Sequence, residues 1–228
     1  MGRRAEKIEI RITIIYDNKA YGGDLETDWG FSCLVEAKNA PVILFDTGTK
    51  GGVLLRNMKK LHIEPDSVDE VFISHAHFDH TGGLSHFLKM NKDVKVYVPT
   101  SFRKPLGAKE VISVKEPLRI HGNISSTGEL SRIEQSLVVK TEKGLVVIAG
   151  CSHPGVGPIL EAASQFGKVY ALIGGLHGFR EFDRVRDLGV ICPTHCSQYK
   201  SQIKSLYPEK YTEDGVGRII EILGSTGD

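Results

Sequence analysis

Apolar residues recur along this chain in two alternating rhythms. Short runs rich in β-branched residues form a first batch: IEIRITIIY (8–16), FSCLVEA (31–37), VILFD (42–46), EVFIS (70–74) and VKVYVP (94–99). SLVVKT (136–141), LVVIAG (145–150), VYALIGG (169–175), VICPT (190–194) and RIIEIL (218–223) form a second. Turn formers bound each run, so each predicts a strand. Between them, VLLRNMKKLHI (53–63), LSHFLKM (84–90), GPILEAASQF (157–166), FREFDRVRDL (179–188) and SQIKSLY (201–207) space their apolar residues as helices do. Strands alternating with helices in two similar halves predict an α/β protein. VILF and LVVIAG are apolar without interruption, as strands buried on both faces are. Two sheets packed together with helices outside satisfy the pattern, and so does one doubly wound sheet. No repeat or linker interrupts the chain, so residues 1–228 are expected to form a single domain.

Composition narrows the partners. Hydrophobic residues make up 40% and charged residues 25%, ordinary for a globular protein. A formal net charge of +1 provides no global field to recruit nucleic acid or an anionic membrane. The start, MGRRAEKIEIRITIIYD, carries early positive charge but neither an apolar leader core nor a small-residue cleavage site. No run approaches the roughly 20 apolar residues of a membrane span. A cytoplasmic protein with a small-molecule substrate, phosphorylated or plain, is therefore expected, without nucleic-acid or membrane partners. Oligomeric state is not readable. Four cysteines, Cys33, Cys151, Cys192 and Cys196, are too scattered for a disulfide framework or a structural zinc knuckle.

The densest chemistry lies in VFISHAHFDHTGG (71–83), where His75, His77, Asp79 and His80 follow a buried strand. Loops at that end of an α/β sheet are where ligands usually bind. Imidazoles and a carboxylate at this spacing suit one divalent metal ion or two a few ångströms apart, with zinc, iron and manganese all compatible. A solvated polar loop explains a lone histidine better than it explains three around an aspartate. Gly82 and Gly83 would let the next helix approach closely. His153 in GCSHPG, His177 in GGLHG and His195 in PTHC also follow apolar strands directly, as does Asp46 in LFDTG. His62, His86 and His121 lie elsewhere and read as surface or structural residues.

Asp46, the His75-x-His77-x-Asp79-His80 motif and the later strand-end histidines resemble the metallo-β-lactamase superfamily, from Trp29 to about Cys196. The resemblance implies an αββα sandwich with the metal site along one edge, which decides between the two architectures left open. WGFSCLVEA (29–37), IAGCSHPG (148–155), GGLHG (174–178) and PTHCS (193–197) resemble a narrower group within it. That group comprises 7,8-dihydropterin-6-methyl-4-(β-D-ribofuranosyl)aminobenzene-5′-phosphate synthases and enzymes described simply as metal-dependent hydrolases.

One departure stands out. Where the superfamily usually ends a strand in Gly-Asp, with an aspartate bridging two metals, this chain has Gly150-Cys151. No histidine precedes the strand before it, where RIEQSL (132–137) stands instead. His153 is the natural substitute ligand. Cys151 fits a buried apolar filler better than a thiolate ligand. The resemblance then implies one ion on His75, His77 and His153 and a second on Asp79, His80 and His195. Zinc is the first expectation. Asp46 is cast as the carboxylate that fixes an imidazole's tautomer. His177 has no ligand slot, and could bind phosphate, shuttle a proton, or replace a named ligand.

The implied chemistry is hydrolysis of an ester, thioester, amide or phosphodiester by metal-activated water. The alternative is condensation, in which the cation neutralises a diphosphate leaving group while a carbon or amine attacks. Arg103, Lys104 and Lys109 around Gly107 fit a solvated charged loop better than a phosphate-facing one. A non-enzymatic or redox metal module is a further alternative, but the redox kind needs a flavin partner that this chain does not supply.

Overall fold

Two sheets stand face to face in the computed structural model, which describes residues 7–224. The charged start of the chain, residues 1–6, on which part of the case against a leader was made, lies outside them. The first sheet has seven strands. They are β1 (Ile8–Tyr16), β2 (Ser32–Ala37), β3 (Ile43–Phe45), β4 (Glu70–Phe72), β5 (Lys95–Pro99), β6 (Glu110–Val114) and, returning from the chain's end, β13 (Ile219–Leu223). Their order is β13-β1-β2-β3-β4-β5-β6. The second sheet has six strands. They are β7 (Leu118–Arg119), β8 (Ile124–Ser126), β9 (Leu137–Thr141), β10 (Gly144–Ala149), β11 (Val169–Gly175) and β12 (Val190–Thr194), running β12-β11-β10-β9-β8-β7.

Three apolar layers follow from the strand patterns. Ile10, Ile12, Ile14, Phe45 and Phe72 meet Leu137, Val139, Val146, Ile148 and Ile173 between the sheets. On the outer face of the first sheet, Leu44, Val71 and Val96 pack against α1 (Gly51–Lys60) and α3 (Leu84–Met90) through Leu54, Met58, Leu84 and Phe87. On the outer face of the second, Val138, Leu145, Val147 and Leu172 pack against α4 (Val156–Ser164) and α5 (Lys200–Leu206) through Ile159, Ala163 and Ile203. This is the αββα sandwich that the resemblance implied. No helix among the described residues is long and apolar enough to cross a membrane.

Three sequence expectations need correction. RIIEIL was grouped with the second batch of strands, yet β13 pairs antiparallel with β1, Ile12 opposite Ile220, and closes the first sheet. Residues 179–188 do not form an α-helix, only a 3-10 turn over Phe182–Val185. Their apolar residues, Phe179, Phe182, Val185 and Leu188, recur every third position, the period of the 3-10 turn and not of the α-helix. Strands β6 and β7 do not show in the sequence pattern because they carry exposed polar residues, and β8 because three residues are too few to show a period.

Topology brings one edge together. β3, β4 and β5 run parallel, as do β10, β11 and β12, so their carboxyl ends line the same rim of the sandwich. Between those ends lies a short helix, α2 (Phe78–Thr81), carrying Asp79 and His80. Gly82 is required behind it, since a Cβ there would lie 2.1 Å from the Thr49 carbonyl oxygen.

Phe45 is fully buried between the sheets, stacked on Phe72 at 5.6 Å with Phe31 edge-on at 6.1 Å. Phe45→Ala should lower the unfolding free energy by about 3–5 kcal/mol. Denaturant titration checks this, and a loss under about 1 kcal/mol would mean that the inter-sheet layer is not closely packed there.

Candidate metal centre

Each candidate histidine sits at a strand end for a local reason. β4 ends at Phe72, and the chain continues extended through Ile73 and Ser74 to His75, which bridges to Glu134 opposite. Asp46 follows β3, Ser152 and His153 follow β10, His177 follows β11 and His195 follows β12. Asp46, Ser152, His177 and His195 all hold positive φ, between 42° and 59°, so each turn begins at once and keeps its side chain at the rim.

The rings converge. His75 lies 4.2 Å from His80, 4.6 Å from His77 and 4.8 Å from His153, centroid to centroid. His80 and His195 are 5.2 Å apart, as are His153 and His177. Three donor groups result, each with all its ligand atoms within 4.8 Å of one another: His75, His77 and His153; Asp79, His80, Cys151 and His195; Cys151, His153 and His177. The structure thus brings together every residue singled out at the strand ends except Asp46, which stands directly behind. It adds Cys151, whose Sγ lies 3.1 Å from His80 Nε2. His62 and His86 are exposed, and His121 sits against Glu70. Arg103, Lys104 and Lys109 are exposed between β5 and β6 and join none of the donor groups.

Three buried imidazoles are held from behind by an oxygen on Nδ1. Asp46 Oδ2 lies 2.7 Å from His80 Nδ1, Ser74 Oγ 2.9 Å from His75 Nδ1, and Asn18 Oδ1 2.9 Å from His195 Nδ1. Asp46 is itself fixed by the Ser74 amide and hydroxyl, which donate at 2.7 and 2.6 Å. Such anchoring sets tautomer and aim and leaves Nε2 turned to the cluster. There, His75 Nε2 and His153 Nε2 are buried with no hydrogen-bond partner. Orphaned buried nitrogens are costly in a native structure unless something else satisfies them. A cation between neutral imidazoles does so, and the donor set of imidazole, carboxylate and thiol fits a divalent ion.

Electrostatics agree. Burial, reinforced by His80, His153 and His77, pushes His75 far below the ordinary imidazole range, and burial with His195 does the same to His80. Both remain neutral and able to donate a lone pair at any physiological pH. For Asp79, burial alone would raise the carboxyl. The hydrogen bond with His195 outweighs it and holds Asp79 low and ionised. Trp29 Nε1 donates to the same Asp79 oxygen at 3.0 Å.

Glu134 was not foreseen. Its buried carboxylate accepts the amides of Gly150, Cys151 and Ser152 on Oε1, at 2.9, 3.1 and 3.0 Å, and that of His153 on Oε2 at 2.9 Å. One side chain therefore shapes the whole turn that presents Cys151 and His153. Its neighbour Gln135 donates to the Ser74 and Ile73 carbonyls and ties the same segment to the other sheet. Gly150 is the point of closest approach, where a Cβ would lie 2.2 Å from Ser74 Oγ. The only sequence signal for Glu134 was its place in RIEQSL, where the superfamily more often has histidine.

Comparison with known proteins agrees with this geometry. The family model described as the metallo-beta-lactamase superfamily matches residues 30–162. A 7,8-dihydropterin-6-methyl-4-(beta-D-ribofuranosyl)-aminobenzene-5'-phosphate synthase from Methanocaldococcus jannaschii is 30% identical, over 89% of this chain and 91% of its own. Among solved structures, Tm1679, a metal-dependent hydrolase of the beta-lactamase superfamily, superposes with a TM-score of 0.77 at 23% identity, covering 94% of this chain and 99% of its own. The metallo-beta-lactamase fold protein YhfI from Bacillus subtilis gives 0.67 at 13% identity, covering 95% and 100%. These two likenesses speak to the fold alone.

Two measurements follow. Glu134→Ala frees four amides and should weaken divalent-cation affinity by about 10–100-fold in a chelator competition. Affinity equal to the parent's would show that the turn holds without the carboxylate. Burial pushes Glu134 up to about 7 against the pull of its four amides, and raises Asp46 as well. Raised in this way, the Glu134 carboxyl is partly protonated below neutrality in the cation-free protein and sheds that proton when a cation binds. Apparent affinity should thus rise from pH 5 to pH 7, by up to about tenfold per unit for each proton released. Calorimetry in buffers of differing ionisation enthalpy reads the release, and a flat affinity would contradict it.

Proposed function

Because the chain belongs to the metallo-beta-lactamase superfamily, whose fold implies divalent-cation binding, we propose that it is a metal-dependent hydrolase of small molecules carrying an ester, thioester, amide or phosphodiester bond. The observation that carries the reading is the pair of orphaned, buried nitrogens, His75 Nε2 and His153 Nε2, inside a ring of further donors. His75, His77 and His153 would hold one cation, and Asp79, His80 and His195 a second, with Cys151 completing the second set. Zinc fits this mixture of nitrogen, oxygen and sulfur first, with iron and manganese next. When bound, the cations supply Lewis acidity, polarising the scissile group and drawing the pKa of water toward neutrality.

The chain's own residues do the rest. Asp46 keeps the His80 ring aimed, and Trp29 holds one oxygen of Asp79 in place. His177 is exposed beside His153, where its imidazole can pass a proton to a leaving group. A second reading, condensation onto a pterin with loss of diphosphate, is favoured by the synthase that is 30% identical over most of both chains.

Zinc-reconstituted protein should hydrolyse bis(p-nitrophenyl) phosphate, lose that activity to a chelator, and lose at least about a hundredfold in Asp79→Asn. Turnover that persists without metal would remove the proposal. Release of diphosphate from a pterin methyl diphosphate only when an aminobenzene acceptor is present, with no diester turnover, would establish the second reading instead.

A further inference from the structure

Two pieces of the connection between β1 and β2, Asp17-Asn18 and Trp29-Gly30-Phe31, converge behind the donor set of Asp79, His80, Cys151 and His195. Trp29 Nε1 donates to Asp79 Oδ2 at 3.0 Å, and the indole stands edge-on to the His195 ring at 4.7 Å. The Phe31 amide donates to the Asp79 carbonyl at 3.2 Å, and Phe31 is itself buried against Phe45. Gly30 makes this approach possible, since a Cβ there would lie 2.5 Å from the Asp79 carbonyl oxygen, and its φ of 144° suits glycine. One tripeptide thus holds Asp79 by both side chain and backbone.

Asn18 does the same for His195. Its Oδ1 accepts the Gly30 amide at 3.2 Å, and its Nδ2 donates to the His195 carbonyl at 3.0 Å. A backbone N–H only donates and a carbonyl only accepts, so these two partners fix which way round the side-chain amide lies. Oδ1 therefore faces His195 Nδ1 at 2.9 Å, and that nitrogen carries the hydrogen. The lone pair is left on Nε2, at the donor cluster. Asp17 pins the backbone of the same turn, its Oδ1 accepting the Asn18 and His195 amides at 2.7 and 3.2 Å. Asp79 follows β4 of the first sheet and His195 follows β12 of the second, so this connection ties together donors from both. His75 and His153 are held from elsewhere, by Ser74 on the one ring and Glu134 on the other residue's amide.

We propose that Asp17, Asn18 and residues 29–31 form a brace for the second cation position alone, with Asn18 and Trp29 as its positioning residues. The two positions then have separate supports, and the second can lose affinity while the first keeps it. Hydrogen bonds behind a ligand set its aim and its basicity, and both effects act on the ligand that is touched. The brace touches Asp79 and His195, and the imidazoles of the first set have their own anchors. Occupancy of the second position is therefore decided by a connection that supplies no ligand itself. The proposal rests on the preceding reading only in how the donors are divided between two cations.

Calorimetric uptake of cobalt(II) by the cation-free protein tests this and reads binding without turnover. The parent should take up two equivalents, which two marker variants identify: Asp79→Asn should weaken one step and His77→Ala the other. Asn18→Ala should weaken the Asp79 step by about 10–100-fold and leave the His77 step unchanged. Asn18→Asp keeps an acceptor for His195 Nδ1 and should recover part of the loss. Trp29→Phe keeps a ring against His195 but removes the N–H on Asp79, and should weaken the same step by about tenfold. Trp29 is 57% exposed, so this variant carries the test if Asn18→Ala fails to fold. Asp24→Ala, from the same connection, removes a carboxylate that stands in solvent, and should match the parent at both steps. The brace is overturned by a parent that takes up one equivalent, by an Asp79 step unchanged in Trp29→Phe, or by equal weakening of both steps there. An equal loss in Asp24→Ala would overturn it too. Two cations bound in this way, with no turnover of bis(p-nitrophenyl) phosphate, would end the hydrolase reading and leave the brace standing.

Discussion

The rim of the sandwich depends on one buried carboxylate. Among the described residues no cationic side chain pairs with Glu134, and it is satisfied instead by four consecutive amides, Gly150 to His153. Anionic acceptors ringed by backbone N–H groups are among the stronger hydrogen-bonded arrangements, and burial makes leaving any one of them unmade expensive. Since the backbone of residue 134 also bridges to His75, the turn after β10 and the histidine loop after β4 are spaced by the same residue, its side chain on the one and its backbone on the other. Two sheets that meet over most of their area through apolar contacts are thereby given a fixed offset at the edge where chemistry would occur, with Gln135 tied to the Ser74 and Ile73 carbonyls beside it. Apolar packing holds the sheets together, but it tolerates small slides that a polar clamp does not.

That clamp matters more because of what replaces the usual aspartate. Cys151 puts a sulfur where the superfamily commonly has a carboxylate, and its Sγ stands against His80 Nε2. As a thiolate, it would bring the same single charge as a carboxylate but only one donor atom, so it cannot span two cations with two oxygens. On the proposed reading, a pair of cations here would be held at their separation chiefly by the protein frame. The frame is stiff for that purpose. His75, His80 and His195 each have an oxygen behind Nδ1, and Trp29 donates to Asp79. Soft sulfur among the donors also bears on metal choice, moving the site away from magnesium and calcium.

Legibility followed physical range. Strand ends marked by histidines could be read because β-branched runs are local and the residues after them are few. The shared rim followed only once parallel pairing was granted. Phe182–Val185 was misread because a window of ten residues does not separate a period of three from one of 3.6 when both bury the same face. β13 was misplaced because pairing with β1 is a contact across the entire chain, to which local pattern is blind. Glu134 was invisible for a different reason. Its partners are backbone amides, which every residue has, so nothing in the composition of the turn announces an acceptor opposite. Cys151 read as filler because burial and ligation look alike for a cysteine until its neighbours are known.

Backbone strain adds an independent line of argument. Asp46, Ser152, His177 and His195 all lie in the left-handed region, within three residues of the ends of β3, β10, β11 and β12. A non-glycine residue held there costs on the order of 1 kcal/mol or more, and four of them on one edge amount to a sizeable fraction of a domain's stability. Glycine would relieve each at no steric cost, and this chain is not sparing with glycine, having 25. What glycine would forfeit is the side chain: the carboxylate behind His80, the hydroxyl on the Gly175 carbonyl, and two imidazoles. The strain is tolerated where a side chain must leave the strand at its last residue and point along the rim, and a longer, relaxed loop would let it swing. Asn39, His62, Ser131 and Arg132 also hold positive φ, so it is the coincidence of strain with converging side chains at the rim that argues for function there.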